Sequence, residues 1–197
     1  MTLKKSFRTK LIIFSAFFAI NFLLLSKSFG STVSFKALIS NSVGLGCKVI
    51  IPNNVLSFTP LKSNVVVGNI KTFQINPLVI RLSCVDETEE LLPLLTISGV
   101  TPYQDDTTKS IFLDGNTNGV GFMIRQSVDN QQISLNDFYN PTEAIQNNAT
   151  PKQLSKLNSI NAYQSETLLW VGLVGPLRAI VTPGNFSATL TVNVAFQ

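Results

Sequence analysis

The last fourteen residues, GNFSATLTVNVAFQ, constrain this chain more than any other stretch. The even positions read Gly184, Phe186, Ala188, Leu190, Val192, Val194 and Phe196, and the odd positions Asn185, Ser187, Thr189, Thr191, Asn193, Ala195 and Gln197. Successive side chains of a β-strand leave opposite faces, so this alternation makes one apolar face and one polar face, with Ala195 the exception. Termini fray unless tied down. A closing strand of this length needs a neighbour on each edge, and no strand follows Gln197. The sequence therefore predicts that one neighbour comes from another chain.

Strand signals recur upstream. Cys47, Val49 and Ile51 share one parity, and VLSFTP (55–60) is a second short strand. KTFQINPLVIRLSC (71–84) is long. Its apolar parity changes from Phe73 and Ile75 to Leu78, Ile80, Leu82 and Cys84, which predicts a bulge or kink at Asn76–Pro77. LLPLLTISG (91–99) and VGFMIRQS (120–127) follow, with a turn at Asp129–Asn130 leading into QQISL. TLLWVGLVGPLRAIV (167–181) reads as one or two buried strands, and the polar, Asn-rich stretch 136–162 as loop with short irregular pieces. Beyond residue 30 nothing sustains a 3.6-residue period, so the chain is expected to be all-β, a β-sandwich.

Composition removes several chemistries. The chain has no histidine and two cysteines. That excludes Ser-His-Asp and Cys-His triads, His-ligated zinc and all-thiolate metal centres, so neither metal nor cofactor is expected. The net charge of +4 comes from 15 basic and 11 acidic residues, and five of the basic ones (Lys4, Lys5, Arg8, Lys10 and Lys27) lie within residues 1–30. The remaining 10 stand against 11 acids, so no basic surface argues for nucleic acid or an anionic membrane.

Residues 1–30 have the three parts of a secretory signal peptide: a basic start, the apolar run LIIFSAFFAINFLLL, and small Ser28 and Gly30 before Ser31. The alternative is a membrane anchor, but fifteen helical residues reach about 22 Å, short of the ~30 Å hydrocarbon core. An exported chain meets an oxidising compartment, so a Cys47–Cys84 disulfide is expected, with two free thiols as the alternative. Closing a loop of about 38 residues contributes up to ~4 kcal/mol by chain entropy.

Together these features resemble a subunit of the chaperone–usher fimbriae of Gram-negative bacteria. The resemblance rests on an ordered set: a signal peptide; an alternating segment before the first Cys; CKVIIPNNVLSF; a second Cys closing F-x-I-x-x-x-x-I-x-L-x-C; GVGF opening a middle strand; and a terminal strand beginning at Gly184. The penultimate residue is Phe196 where family members usually carry Tyr. The resemblance implies an all-β fold, an incomplete immunoglobulin-like (pilin) β-sandwich completed by a donor strand from another chain. It implies as partners a periplasmic fimbrial chaperone, an outer-membrane usher and neighbouring fimbrial subunits, with a host glycan or protein receptor met through the fibre. It also implies export through the periplasm to a cell-surface fimbrium, no enzymatic activity, and subunit polymerisation by β-strand addition.

The expected organisation is a signal peptide at 1–30, an N-terminal donor-strand extension at 31–42 and a pilin domain at 43–197. In the extension STVSFKALISNS, Val33, Phe35, Ala37 and Ile39 share one face, with Leu38 the exception on the other. The alternative is that this segment is the first strand of its own domain. On the terminal strand, Gly184, Phe186, Leu190, Val192, Val194 and Phe196 are expected to line the groove that the chaperone fills first. Other functions are a single-domain tip adhesin of the archaic type, similar to spore-coat U proteins, or a small secreted β-sandwich hydrolase using two carboxylates.

Three further features look like chemistry. Asp114–Gly119 matches the first half of a calcium loop, but Arg125 stands where the bidentate acid belongs, so a polar turn is expected. Asp86, Glu87, Glu89 and Glu90 crowd one short segment and are expected to be a solvated loop rather than a facing catalytic pair. Trp170 is expected in the core. Tyr103, Tyr139 and Tyr163 are expected in loops, where any of them could stack on a sugar.

Overall fold

A computed structural model describes residues 31–39, 46–127 and 129–197. The signal peptide expected at residues 1–30 and the end of the expected extension, residues 40–42, lie outside the described residues. Among the described residues, nine strands form two sheets. They are β1 (Ser31–Ile39), β2 (Lys48–Ile50), β3 (Val55–Phe58), β4 (Lys71–Ser83), β5 (Pro93–Ser98), β6 (Gly121–Arg125), β7 (Lys152–Gln153), β8 (Gln164–Gly175) and β9 (Phe186–Phe196). One sheet has the order β3-β1-β9-β5-β7 and the other β2-β4-β8-β6. The single α-helix among the described residues is α1 (Leu135–Phe138), one turn capped by the Ser134 side chain.

The core lies between the sheets because the alternating strands turn one parity inward. On β9, Ala188, Leu190, Val192, Val194 and Phe196 are buried. On β5, Leu95 and Ile97 are buried opposite Val194 and Val192. From the facing sheet, Leu78, Ile80 and Leu82 of β4 complete the layer. Phe122 sits between Phe58 and Phe186, with ring centroids 5.2 and 5.6 Å away. Each such fully buried side chain contributes of order 2 kcal/mol. The Cys47–Cys84 disulfide is present, and it ties the residue before β2 to the residue after β4.

Four local expectations are corrected. The β4 bulge lies between Thr72 and Gln74, whereas Asn76 and Pro77 pair regularly with Val171 and Trp170. The change of apolar parity has two causes: this bulge, at which Phe73 packs against the inner core, and a second cluster on the outer face of β6 and β8. There Ile75 packs with Trp170, Met123, Val174 and the fully buried Phe138. Ile75 therefore meets the outer cluster, whereas Phe73 packs against the inner core with Leu78, Ile80 and Leu82. QQISL is not a strand; Asn130 takes φ 60°, and Ser134 starts α1. The second strand ends at Phe58 rather than residue 60, because the Gln74 amide, not a strand, satisfies the backbone of Thr59. The stretch 167–181 is one strand that begins earlier, at Gln164, and stops at Gly175, where Pro176 brings no N–H.

Candidate functional site

The place beside β9, which the alternation assigned to a strand of another chain, is filled in this structure by the chain's own β1. β1 lies between β3 and β9. It runs parallel to β9 over nine register pairs, from Ser31 with Phe186 to Ile39 with Val194. It runs antiparallel to β3 over four, from Ser31 with Phe58 to Ser34 with Val55. The four positions expected to fill a groove stand in register with one row of β9: Val33 with Ala188, Phe35 with Leu190, Ala37 with Val192, and Ile39 with Val194. All four β9 partners are buried, three of them completely. The second neighbour of β9 is β5, antiparallel from Pro93 with Phe196 to Ser98 with Thr191.

The slot is thus one strand wide. Its walls are β3 and β9, and part of its floor is the apolar row of β9. Leu190 is at its centre. A Cβ placed on Gly99, just past β5, would lie 2.4 Å from Leu190 Cδ2 and 3.0 Å from Phe112 Cδ1, so glycine there makes the room that Leu190 occupies. Sequence reasoning passed over Gly99, although a glycine closing the apolar strand LLPLLTISG was a signal of close approach.

The other expected groove residues divide. Phe186 opens β9 and is half-buried against Phe122. Phe196 is buried but pairs with Pro93, beyond the last register pair of β1. Gly184 precedes the strand, and a Cβ built there meets nothing within 4 Å. It lines a cavity of about 40 Å³ with Leu61, Val66, Val181 and Phe186 at the end of the slot where β1 starts.

Outside the slot, edge groups of β3, β5 and β6 are met by other parts of the chain. The Gln74 amide both accepts from Thr59 N and donates to Thr59 O at 2.7 Å, and Asn76 Nδ2 donates to Ser57 O at 3.1 Å, so two side chains of β4 cap the far edge of β3. Beyond β7, the edge of β5 is met by Asn148 N on Ile97 O and by Asn147 Oδ1 on Gly99 N, both at 3.0 Å. β6 exchanges backbone bonds with Phe112 and is bridged to Ala144. Free edges invite unwanted strand pairing, and such caps prevent it. The polar pair Gln74 and Asn76, on the parity that elsewhere in β4 is apolar, was the legible trace of this.

The remaining candidates take structural positions. In the loop 114–119, Asp114 N donates to Ser187 O at 2.7 Å and Asp114 Oδ2 accepts from Thr189 Oγ1 at 2.9 Å, docking the turn on β9. Among the described residues no group of three His, Cys, Asp or Glu side chains could hold a metal ion. Asp86, Glu87, Glu89 and Glu90 stay in one loop. Glu90 pairs with Lys156 at 2.9 Å, and its hydrogen bonds to Lys156 and Asn158 hold its carboxyl below the usual range. Trp170 is in the outer-face cluster.

Tyr103 lies in a loop, as expected, but is not placed to stack on a sugar. It is buried, and its hydroxyl donates to Val120 O at 2.6 Å and accepts from Gly119 N at 3.1 Å. Burial raises its pKa. Arg125, considered from sequence only as a misfit calcium ligand, is a buried clamp. Its guanidinium donates to the carbonyls of Asp137 and Phe138, pairs with Glu143 and lies over the Phe138 ring, which holds α1 on the sheet.

A family model described as fimbrial protein matches residues 34–197. No curated protein matches the chain. Among solved structures, the fold is similar to that of the P pilus rod subunit PapA, with TM-score 0.51 and 14% identity over 77% of this chain and 99% of that one. A second match is the CupB6 tip adhesin from Pseudomonas aeruginosa, with TM-score 0.36 and 18% identity over 76% of this chain and 36% of the adhesin.

Proposed function

The chain belongs to the fimbrial protein family, and from that premise we propose that it is a structural or adaptor subunit of a chaperone–usher fimbrium that polymerises by strand donation. Its sandwich has a one-strand slot between β3 and β9, filled by a segment that precedes the disulfide-tied body. That observation carries the reading. Once the signal peptide at 1–30 is removed, such a strand is joined to the rest at one end and can leave one slot and enter an identical one. Backbone hydrogen bonds then supply affinity, and the alternating row Ala188, Leu190, Val192 and Val194 supplies register.

On this reading residues 31–42 are the donor, with Val33, Phe35, Ala37 and Ile39 entering the slot of a neighbouring subunit. The β9 row is the surface that a periplasmic chaperone covers first, before an outer-membrane usher exchanges chaperone for subunit. The protein is exported through the periplasm to the cell surface, and any host receptor is met by the fibre. Its work is assembly rather than catalysis. The clustered acids support this, since they lie in one solvated loop with Glu90 held by Lys156 rather than facing each other across a cleft.

Deleting residues 31–42 tests the assignment. The shortened subunit should still be recovered with the chaperone, yet fail to be linked beneath another subunit. Normal incorporation of the deletion in mid-fibre would overturn it.

A further inference from the structure

We propose that Asn118–Gly119 is a latent deamidation site at the end of the slot, and that the buried Tyr103 hydroxyl holds it shut. An asparagine followed by glycine is the pair most prone to lose its side-chain amide, because glycine has no side chain to hinder attack by its own nitrogen. In that step Gly119 N bonds to Asn118 Cγ and gives up its proton to solvent. The bond from Cγ to the amide nitrogen breaks, and ammonia leaves. Solvent water then opens the cyclic imide. Opening at Cγ leaves an aspartyl residue on an unchanged backbone. Opening at the main-chain carbonyl leaves an isoaspartyl residue whose backbone runs through Cβ.

The fold needs both members of the pair. Gly119 takes φ 94°, a left-handed value that favours glycine, and a Cβ there would lie 2.9 Å from Val181 Cγ2. Asn118 Oδ1 accepts from Val120 N at 3.2 Å, which closes the turn into β6. An aspartate could make that bond too. Position 118, however, borders the cavity at the end of the slot together with Val66, Val120 and Phe186, where a carboxylate would face apolar side chains.

The same geometry blocks the reaction. Gly119 N, the nucleophile, is buried and donates to the Tyr103 hydroxyl at 3.1 Å. That hydroxyl is itself fixed, because it donates to Val120 O at 2.6 Å. The backbone of the pair is pinned on its carbonyl side, by Thr182 N on Asn118 O at 2.9 Å and Leu177 N on Gly119 O at 2.8 Å. To react, Gly119 N must leave the hydroxyl and Asn118 must turn away from Val120. Burial raises the pKa of Tyr103, so the hydroxyl keeps its proton in the mildly alkaline solvent that speeds deamidation. The loop carrying the pair is docked on β9 through Asp114, so an isoaspartyl link, with its extra backbone carbon, would disturb the turn beside Phe186, where β9 begins. The lock does not depend on which chain's strand fills the slot, so it stands or falls apart from strand donation.

The test incubates the intact mature chain, residues 31–197, at mildly alkaline pH beside a synthetic peptide of residues 112–122. Mass spectrometry follows aspartyl and isoaspartyl product at position 118. The peptide should convert fast and the folded chain slowly. Tyr103→Phe removes one hydrogen bond that must break before attack, and should speed conversion about tenfold over the wild type. Leu82→Ala opens a cavity at the far end of β4 and leaves the lock intact, so it should stay near the wild-type rate. Hydrogen exchange on the wild type needs no variant: the Gly119 amide should exchange as slowly as the amides of the core strands. Equal rates for Tyr103→Phe and the wild type, or for the wild type and the peptide, would overturn the lock, as would fast exchange at Gly119. Conversion of Leu82→Ala as fast as that of Tyr103→Phe would also overturn it, since protection would then come from global stability alone.

Discussion

Adding one methyl group at Gly99 perturbs the centre of the slot with a magnitude the structure sets. The new Cβ would lie 2.4 Å from Leu190 Cδ2, more than an ångström inside ordinary carbon contact of about 3.5–4.0 Å. Leu190 is fully buried, and the other nearest atoms, Phe112 Cδ1 at 3.0 Å and Thr189 O at 3.3 Å, close off the alternatives. Overpacking of this kind costs about 1–3 kcal/mol. Leu190→Ala removes the clashing atoms but opens a cavity, at about 2–5 kcal/mol. The two changes share one volume, so the double variant should be less destabilised than the sum by about 0.5–3 kcal/mol. The assay is urea unfolding of the mature chain, followed by fluorescence of its single tryptophan, Trp170, which is buried in the native state. A double variant destabilised by the full sum would refute the claim that Gly99 exists to admit Leu190.

Three other expectations follow from the same packing. Gly172→Ala places a Cβ 2.2 Å from Phe138 Cε1, so it should lower the urea midpoint by an amount equivalent to about 1–3 kcal/mol and expose Phe138. Arg125→Leu strips the Asp137 and Phe138 carbonyls of a charged donor and should cost about 2 kcal/mol in the same assay, with proteolysis first appearing between residues 129 and 147. The raised pKa of Tyr103 means that its contribution is fully present below the ordinary tyrosine value of 10.0 and is lost as pH rises beyond it. Thermal midpoints measured upward through that value should therefore fall more steeply for the wild type than for Tyr103→Phe.

The strands whose two faces differ were the legible ones. β9 and β5 alternate in sequence and in burial alike, and the cysteines that export would oxidise are bonded. Strands covered on both faces were legible as strands, but not in their ends or in the two layers they serve. β6 is buried at all five positions and β8 over its last seven, so neither shows a period. Their second cover includes Phe138, from a stretch polar enough to pass for loop, seated where Gly172 leaves space. The parity change in β4 recorded the bulge near Phe73 and that second layer, though it pointed to Asn76–Pro77. For the slot, the sequence showed a strand lacking a neighbour and a segment able to be one. Which copy of the chain supplies that segment is a matter of connection, which alternation does not encode.

Strand donation is tested most directly in assembled fibres carrying a photo-crosslinking amino acid at position 35, opposite Leu190 in the register of β1 and β9. Irradiation of fibres should join residue 35 to the β9 of a different subunit and give a ladder of covalent multimers, whereas irradiation of the isolated subunit should give the bond within one chain. If fibres yield only the bond within one chain, residues 31–39 remain in their own sandwich and the subunits are held together by some other contact.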